Sequence, residues 1–220
     1  MNFGIIQITS NFKEKNKRFN DLKEKIIPKL TSIAKGNYTL VSPPNDELQQ
    51  AVEANGGTFL EYSAWNRDKN RKFREGIKTR PEDWVAFLDD DILLSDEWLS
   101  EMESYLKDKE PGQYGFRLVD ENGNRHEFGE DWMQFFSQKF KLRHRPLKYD
   151  LETGFIEKSP TSYVSNSVVH KDAFNFVEPY GIFQRAPDVT WCFAIKEAGF
   201  PVDFCLKAWA YHLGDRGDNR

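Results

Sequence analysis

Three consecutive aspartates, Asp89, Asp90 and Asp91, are the residues in this chain best suited to chemistry. They directly follow the apolar run Trp84 to Leu88, which is typical of a buried strand. Side chains alternate along an extended chain, so we expect Asp89 and Asp91 to point one way and Asp90 the other. Two carboxylates on one side repel each other unless a cation lies beside them. The pattern predicts a site for a hard cation, and the alternative is a solvated acidic loop.

The same aspartates could instead serve the next helix, which is predicted from residue 95 onward. Ser95 is the expected N-cap of that helix, and Asp96 and Glu97 fall in its first turn. Capping therefore needs no further acids, which favours the cation site.

The elements that must position this cluster alternate between strands and helices. Strands are predicted over 3–9, 38–42, 58–62 and 84–88. Helices are predicted over about 13–34, with an interruption near Pro28, and over 47–54 and 66–79. Such alternation predicts an α/β fold with a parallel sheet and right-handed crossovers. Ligands of these sheets bind at the carboxyl ends of the strands, where Thr9, Ser10, Asn11 and Ser42 also fall.

The second half of the chain has a different pattern. Strands over 114–119 and 125–128 flank a turn and predict a hairpin. Helices are expected over 171–177 and from about 186 to Gly199, and a strand over 207–212. With no repeat or linker, we interpret residues 1–220 as one domain, with halves at about 1–112 and 113–220.

Composition narrows the function classes. The net charge is −4, which is atypical of a nucleic-acid-binding protein. Two cysteines, Cys192 and Cys205, lack metal-type spacing and are expected to be reduced and buried. The first residues lack the pattern of a secretory signal, and no apolar run is long enough to cross a membrane. We expect a soluble, cytoplasmic protein.

A strand that ends in Leu-Asp-Asp-Asp resembles the signature of family-2-like glycosyltransferases with the GT-A fold. Four further segments resemble that family in the expected order: 66–77, 163–173, 187–200 and 211–212. The resemblance implies a single GT-A domain with a mixed, mostly parallel sheet flanked by helices. Its first half would bind the nucleotide-sugar, and its second half would complete the acceptor and catalytic side.

The resemblance also implies a metal-dependent transfer from a nucleoside-diphosphate sugar, with a UDP-sugar favoured, to an acceptor hydroxyl. Asp91 and His212 would coordinate Mn²⁺ or Mg²⁺. Asp89 would hold the ribose or reach the metal through water, and Asp90 would contact the sugar or a backbone group. A hard cation prefers oxygen ligands and stabilises the charge that develops on the departing diphosphate. A histidine at a strand end can also be an ordinary hydrogen-bonded residue.

By the same resemblance, Asp188 is the candidate general base of an inverting transfer. It would take the proton from the acceptor hydroxyl as that oxygen attacks the anomeric carbon. The family usually shows two acids here, and Pro187 stands in place of the first. An aspartate in this position is also a good helix N-cap.

Donor-binding candidates outside the aspartates are Thr9, Ser10, Asn11, Asp46, Arg74 and Arg216. Many relatives read the nucleobase with an acidic pair after the second strand, where this chain offers Asp46, which could instead cap the next helix. Arg216 would pair with a phosphate if the tail 214–220 folds over the donor. A disordered terminus is the alternative for that tail.

The sequence does not decide whether the acceptor is a glycan, a protein or another hydroxyl-bearing molecule. The segment 132–148 interleaves basic and aromatic residues, a pattern that suits a nucleic acid such as DNA with a hydroxymethylated base. A solvated amphipathic helix explains the same pattern.

Two other function classes are consistent with the acidic strand end. A phosphatase of the haloacid dehalogenase type would use Asp89 as nucleophile, although Leu93 departs from its usual pattern. A nucleotide- or nucleic-acid-binding module without catalysis would bind its ligand and be indifferent to Asp188→Asn.

Overall fold

The computed structural model describes residues 2–9, 12, 16–63, 69–121, 125–127, 166–175 and 187–213, without the side chains of 70, 125–127, 187–190 and 193. Strands in these ranges are β1 (Phe3–Ile8), β2 (Tyr38–Ser42), β3 (Thr58–Glu61), β4 (Trp84–Asp89), β5 (Ile92–Leu94), β6 (Gln113–Val119), β7 (Arg125–Glu127), β8 (Ser167–His170) and β9 (Val202–His212).

Helices in the described ranges are α1 (Lys17–Asp21), a π-helical turn (Leu22–Ile26), α2 (Ile27–Ile33), α3 (Asp46–Ala54), α4 (Lys69–Ile77), α5 (Trp98–Leu106), α6 (Lys171–Phe174) and α7 (Pro187–Glu197). The interruption predicted near Pro28 is present, because α2 restarts with Pro28 in its first turn, where a missing N–H is tolerated. Within these ranges, no helix has the length and apolarity needed to cross a membrane.

One sheet joins the strands in the order β3-β2-β1-β4-β8-β6-β9-β5, and β7 pairs with β6. β1, β2, β3 and β4 run parallel to one another. β8 is antiparallel to both β4 and β6, and β9 is parallel to β6. Since β4 and β9 therefore run in the same direction, their carboxyl ends lie at the same edge of the sheet. The predicted α/β fold with a mixed, mostly parallel sheet is confirmed.

Helices cover both faces of this sheet, as the alternating side chains of β1 and β4 require. The α1–α2 region, α3 and α5 pack on the face that carries Ile5, Ala86 and Leu88. Helices α4, α6 and α7 pack on the face that carries Ile6 and Phe87. Strands β1, β2 and β4 are buried on both sides, which explains their near-continuous apolar sequence.

The prediction that Ser95 caps the helix after the acidic cluster is wrong. Helix α5 begins at Trp98, after a turn, and its N-cap position is Glu97 without a side-chain capping bond. The backbone N–H of Ser95 donates to the carbonyl of Trp209 at 3.2 Å, so Ser95 continues the pairing of β5 with β9. Long-range strand pairing, which the local sequence does not show, overrides the capping preference.

Several other predicted elements differ in length. The hairpin of β6 and β7 is confirmed, whereas α6 is shorter than the predicted 171–177. Strand β9 begins at Val202, five residues before the predicted start, and a register shift after Phe116 of β6 interrupts its pairing. Cys192 and Cys205 are buried thiols that form no disulfide, as predicted.

Candidate functional site

The acidic cluster lies in a turn at the carboxyl end of β4. The strand ends at Asp89, and Asp90 and Asp91 form the turn that leads into β5. The backbone carbonyl of Asp91 accepts a hydrogen bond from the N–H of Leu213 at 2.8 Å, which ties the turn to the end of β9. The predicted alternation of the three side chains is wrong, because the chain is no longer extended after Asp89.

Asp89 is held by a lysine from α4. The Nζ atom of Lys69 lies 2.8 Å and 2.9 Å from the two carboxylate oxygens. The backbone carbonyl of Asp89 accepts from Nε2 of Gln7 on the neighbouring strand at 2.9 Å. The amide oxygen of Gln7 in turn accepts from the hydroxyl of Tyr38 at 2.7 Å. These contacts fix the strand end from both faces of the sheet.

Asp90 is the most buried of the three acids, with 2% of its surface exposed. Its Oδ2 accepts a hydrogen bond from the Thr9 hydroxyl at 2.6 Å, and its Oδ1 pairs with the guanidinium of Arg18. Burial raises the pKa of Asp90, and the positive charge of Arg18 opposes that shift. The Asp90 carboxylate thus connects the turn to Thr9, which follows β1, and to Arg18 of α1.

Asp91 is 6% exposed and lies between a cation and the histidine that ends β9. Its Oδ2 is 3.2 Å from Nη2 of Arg18 and 3.4 Å from Nε2 of His212. Burial disfavours the charge, but the hydrogen bond of His212 and the charge of Arg18 outweigh burial and lower the pKa of Asp91. The other oxygen, Oδ1, is buried and has no hydrogen-bond partner among the described residues.

These two residues fit a divalent cation. Asp91 offers an ionised carboxylate with an unsatisfied buried oxygen, and His212 offers an imidazole nitrogen next to it. Within the described ranges, no group of three or more His, Cys, Asp or Glu residues could hold a metal ion. Protein ligands of this number suit Mn²⁺ or Mg²⁺, whose other positions are filled by water and substrate phosphates.

The remaining predicted donor-binding residues are dispersed. Thr9 lies at the cluster, bonded to Asp90. Asp46 is exposed in the first turn of α3, where Asn45 provides the N-cap instead. The guanidinium of Arg74 lies 5.3 Å above the ring of Phe174. Outside the described residues lie Ser10, Asn11, Arg216 and the segment 132–148.

Asp188 is the second residue of α7, and its side chain is not among those described. The position of the helix is nevertheless informative. The carbonyl of Pro201, which follows α7, accepts from the N–H of Gln113 at the start of β6, so α7 ends at the amino ends of β6 and β9. Trp191, one turn after the start of α7, packs against Phe87, which lies two residues before the end of β4. The helix therefore extends from the carboxyl-end side of β4 toward the amino end of β6, with its first turn on the side where β4 and β9 end. The fold thus places Asp188 toward the same edge as Asp91.

Sequence reasoning missed three cations around the cluster. Arg18 contacts both Asp90 and Asp91, and Lys69 contacts Asp89. Lys72 is buried, and its ammonium donates to the backbone carbonyl of Thr9. The available signal was that a basic helix precedes the acidic strand, and helix spacing puts residues 69 and 72 on one face. Nothing distinguishes Arg18 from the neighbouring lysines in the sequence.

The sheet order and the acidic turn define a GT-A glycosyltransferase domain. The family model for glycosyl transferase family 2 matches residues 43–173, which is more than half of the chain. The chain belongs to this family, which decides against the phosphatase alternative. The matched region contains the three aspartates and ends before Asp188 and His212.

Solved structures show the same fold at low identity. GalNAc-T7 with UDP, GalNAc and Mn²⁺ is 10% identical with a TM-score of 0.64, over 96% of this chain and 44% of that one. TarS of S. aureus is 14% identical with a TM-score of 0.61, over 97% of this chain and 37% of that one. The chain therefore spans less than half the length of either protein. A comparison with curated proteins found no match.

Proposed function

We propose that this domain transfers a sugar from a nucleoside-diphosphate sugar to an acceptor hydroxyl in the presence of Mn²⁺ or Mg²⁺. The observation that carries the proposal is Asp91, an ionised and buried carboxylate beside His212, one of whose oxygens has no hydrogen-bond partner among the described residues. A buried polar atom without a partner is costly unless a ligand satisfies it. The structure of GalNAc-T7 with UDP and Mn²⁺ supports a UDP-sugar as the donor.

Asp91 and His212 would hold the cation at the carboxyl ends of β4 and β9. When bound, a divalent cation supplies positive charge to the diphosphate that leaves the sugar. His212 must be neutral to act as a ligand, and its position on the paired strand β9 fixes its distance from Asp91.

The nucleoside would lie beside the cation, near the ends of β1 and β4. Asp89 is a candidate ligand of the ribose hydroxyls, because Lys69 holds its carboxylate in place at the partly exposed rim of the site. Asp89 could also reach the cation through water. The Thr9 hydroxyl already donates a hydrogen bond to Asp90, so Thr9 would support donor binding indirectly, by fixing the loop after β1.

Asp188 would act as general base. In an inverting transfer a carboxylate accepts the proton of the acceptor hydroxyl while the oxygen forms its bond to the anomeric carbon. The orientation of α7 supports this role, because its first turn lies toward the edge of the sheet that carries Asp91. The acceptor itself stays a prediction: a glycan or another hydroxyl-bearing molecule.

The proposal is tested by calorimetric titration of UDP, GDP, CDP and ADP with and without Mn²⁺. We expect one nucleotide, UDP, to bind in a Mn²⁺-dependent manner, and Asp91→Ala to weaken that binding at least ~100-fold, since a direct ligand matters more than residues that only support one. Asp96→Ala is the matched control, because Asp96 is an exposed acid of the same loop that pairs with Lys29.

Failure of every nucleotide to bind with Mn²⁺ would refute the proposed transfer. A different outcome would identify a binding module: nucleotide binding without metal-dependent turnover of the donor, with Asp188→Asn changing nothing measurable. Loss of turnover in Asp188→Asn with nucleotide affinity retained is the result expected for a general base.

A further inference from the structure

The guanidinium of Arg18 lies where two acids of the turn converge. Its Nη2 atom contacts Oδ1 of Asp90 and lies 3.2 Å from Oδ2 of Asp91. The arginine comes from α1, which packs on the opposite face of the sheet from α4, the helix that carries the lysine bound to Asp89. Both acids are almost fully buried, whereas 45% of the Arg18 side chain is exposed.

This arrangement offsets part of the negative charge of the turn. Two adjacent buried carboxylates repel each other, and each would be costly to ionise alone. The guanidinium contacts both carboxylates, and its positive charge reduces their mutual repulsion. The cation on Arg18 therefore stabilises an acidic turn that the fold must hold before any donor binds.

The same contact conflicts with a divalent cation on Asp91. Arg18 and His212 both approach Oδ2 of Asp91, so a metal on this carboxylate would lie close to the guanidinium. Two positive charges in a buried site repel strongly. Because nearly half of the Arg18 side chain is exposed, it can leave Asp91 without disturbing the core.

We propose that Arg18 is a built-in counter-cation that a divalent metal displaces from Asp91, and that the released guanidinium then pairs with the diphosphate of the donor. The inference rests on the proposed function and adds a residue that couples metal binding to donor binding. Arginine suits the second role, since its planar fork binds phosphate oxygens in pairs. Asp90 keeps the hydrogen bond of Thr9 when Arg18 turns away.

The test measures Mn²⁺ affinity by electron paramagnetic resonance of the free ion, first without and then with UDP. Without nucleotide, we expect Arg18→Gln to bind Mn²⁺ about 10-fold more tightly than wild type, because the competing charge is gone. With saturating Mn²⁺, the same variant should bind UDP about 10-fold more weakly. The Mn²⁺ and UDP affinities of Arg18→Lys should lie between those of wild type and Arg18→Gln. Lys17 pairs with Glu121 instead, so Lys17→Gln should have the affinities of wild type.

A second readout is the rise in melting temperature on adding Mn²⁺, which should be larger for Arg18→Gln than for wild type. Unchanged or weaker Mn²⁺ affinity in Arg18→Gln would overturn the inference and leave the metal site standing. If Arg18→Gln does not fold, Arg18→Lys decides: Mn²⁺ and UDP affinities equal to wild type would overturn the inference. Absence of Mn²⁺ binding in all proteins would overturn it together with the proposed metal site.

Discussion

The three aspartates have different sets of partners from several parts of the chain, and Arg18 contacts two of them. Asp89 is held by Lys69, Asp90 by Thr9 and Arg18, and Asp91 by Arg18 and His212. Since buried charges are tolerated only when they are paired or hydrogen-bonded, these partners explain how the acids fit inside the fold. Asp91, which has an oxygen without a hydrogen-bond partner in the described part of the chain, is the residue proposed to bind the metal.

Thr9 illustrates how much one hydroxyl contributes at this site. Its Oγ1 donates to the buried Asp90 carboxylate at 2.6 Å. Thr9→Val keeps the shape and removes the donor, so we expect the free energy of unfolding at pH 7 to fall by about 1.5–3 kcal/mol, as for hydrogen bonds to charged groups. Chemical unfolding measures the change. Thr9→Ser retains a hydroxyl and is the control, and equal stability of the two variants would contradict the assigned bond.

At this scale the sequence predicts the residues but not their orientation. The proximity of Asp91 and His212 was predicted from the resemblance, and the structure places them 3.4 Å apart. The directions of the aspartates were predicted wrongly because alternation assumes an extended chain, whereas β5 leaves the line of β4 to pair with β9. Arg18 was missed for a related reason, since its contact spans 72 residues of sequence.

Among the elements, α4 matters most to the site because it delivers Lys69 to Asp89 and Lys72 to the carbonyl of Thr9. The helix packs close to the sheet through Gly76. A Cβ atom at this position would lie 2.6 Å from Cγ2 of Ile6 and 3.0 Å from Cγ2 of Val41. The missing side chain therefore sets the distance between α4 and the strands.

Gly76→Ala tests this packing. Alanine favours the helix by about 1 kcal/mol over glycine, but overpacking against the core costs about 1–3 kcal/mol. We expect a net loss of stability of up to about 2 kcal/mol in chemical unfolding, since both neighbours are core side chains in β1 and β2. Gln50→Ala on the exposed face of α3 is the control for helix propensity. A Gly76→Ala protein as stable as wild type would show that this contact does not set the distance between α4 and the strands.

The elements that the sequence predicts well are those whose signal is local. β1, β2 and β4 were found within one residue because apolar runs and turn residues mark them. The start of α5 and the full extent of β9 were not found. Both depend on pairing between residues far apart in sequence, such as Ser95 with Trp209, and local propensity does not report such pairing.

On the scale of the whole molecule, three tyrosines in or against the sheet form hydrogen bonds through their hydroxyls. Tyr38 donates to Gln7, which in turn holds the backbone of Asp89. Tyr114 donates to the carbonyl of Glu110 at 2.8 Å, and Tyr105 donates to Asp203. Burial raises the pKa of all three phenols, with nearby carboxylates as a further cause. The fold therefore depends on these phenols staying neutral.

This dependence predicts a loss of stability at alkaline pH. Burial raises the pKa of Tyr114 from 10.0 to about 12, and only 1% of the residue is exposed. The contribution of neutral Tyr114 to the free energy of unfolding is complete below pH 10, where the phenol is neutral in both the folded and the unfolded protein. It is lost as pH rises from 10 to 12, because the unfolded chain releases the proton first. For Tyr114 alone the expected loss is about 1.4 kcal/mol per pH unit.

Tyr114→Phe separates this contribution from other alkaline titrations. At pH 8 the variant loses the hydrogen bond to Glu110 and should be about 1 kcal/mol less stable. Its free energy of unfolding should then fall less steeply than that of wild type, so the difference shrinks or reverses by pH 12. Denaturant unfolding at pH 8, 10, 11 and 12 gives both curves. Parallel curves would mean that Tyr114 ionises equally easily in the folded and unfolded protein. The ionisation of Tyr114 would then contribute nothing to the change of the free energy of unfolding with pH.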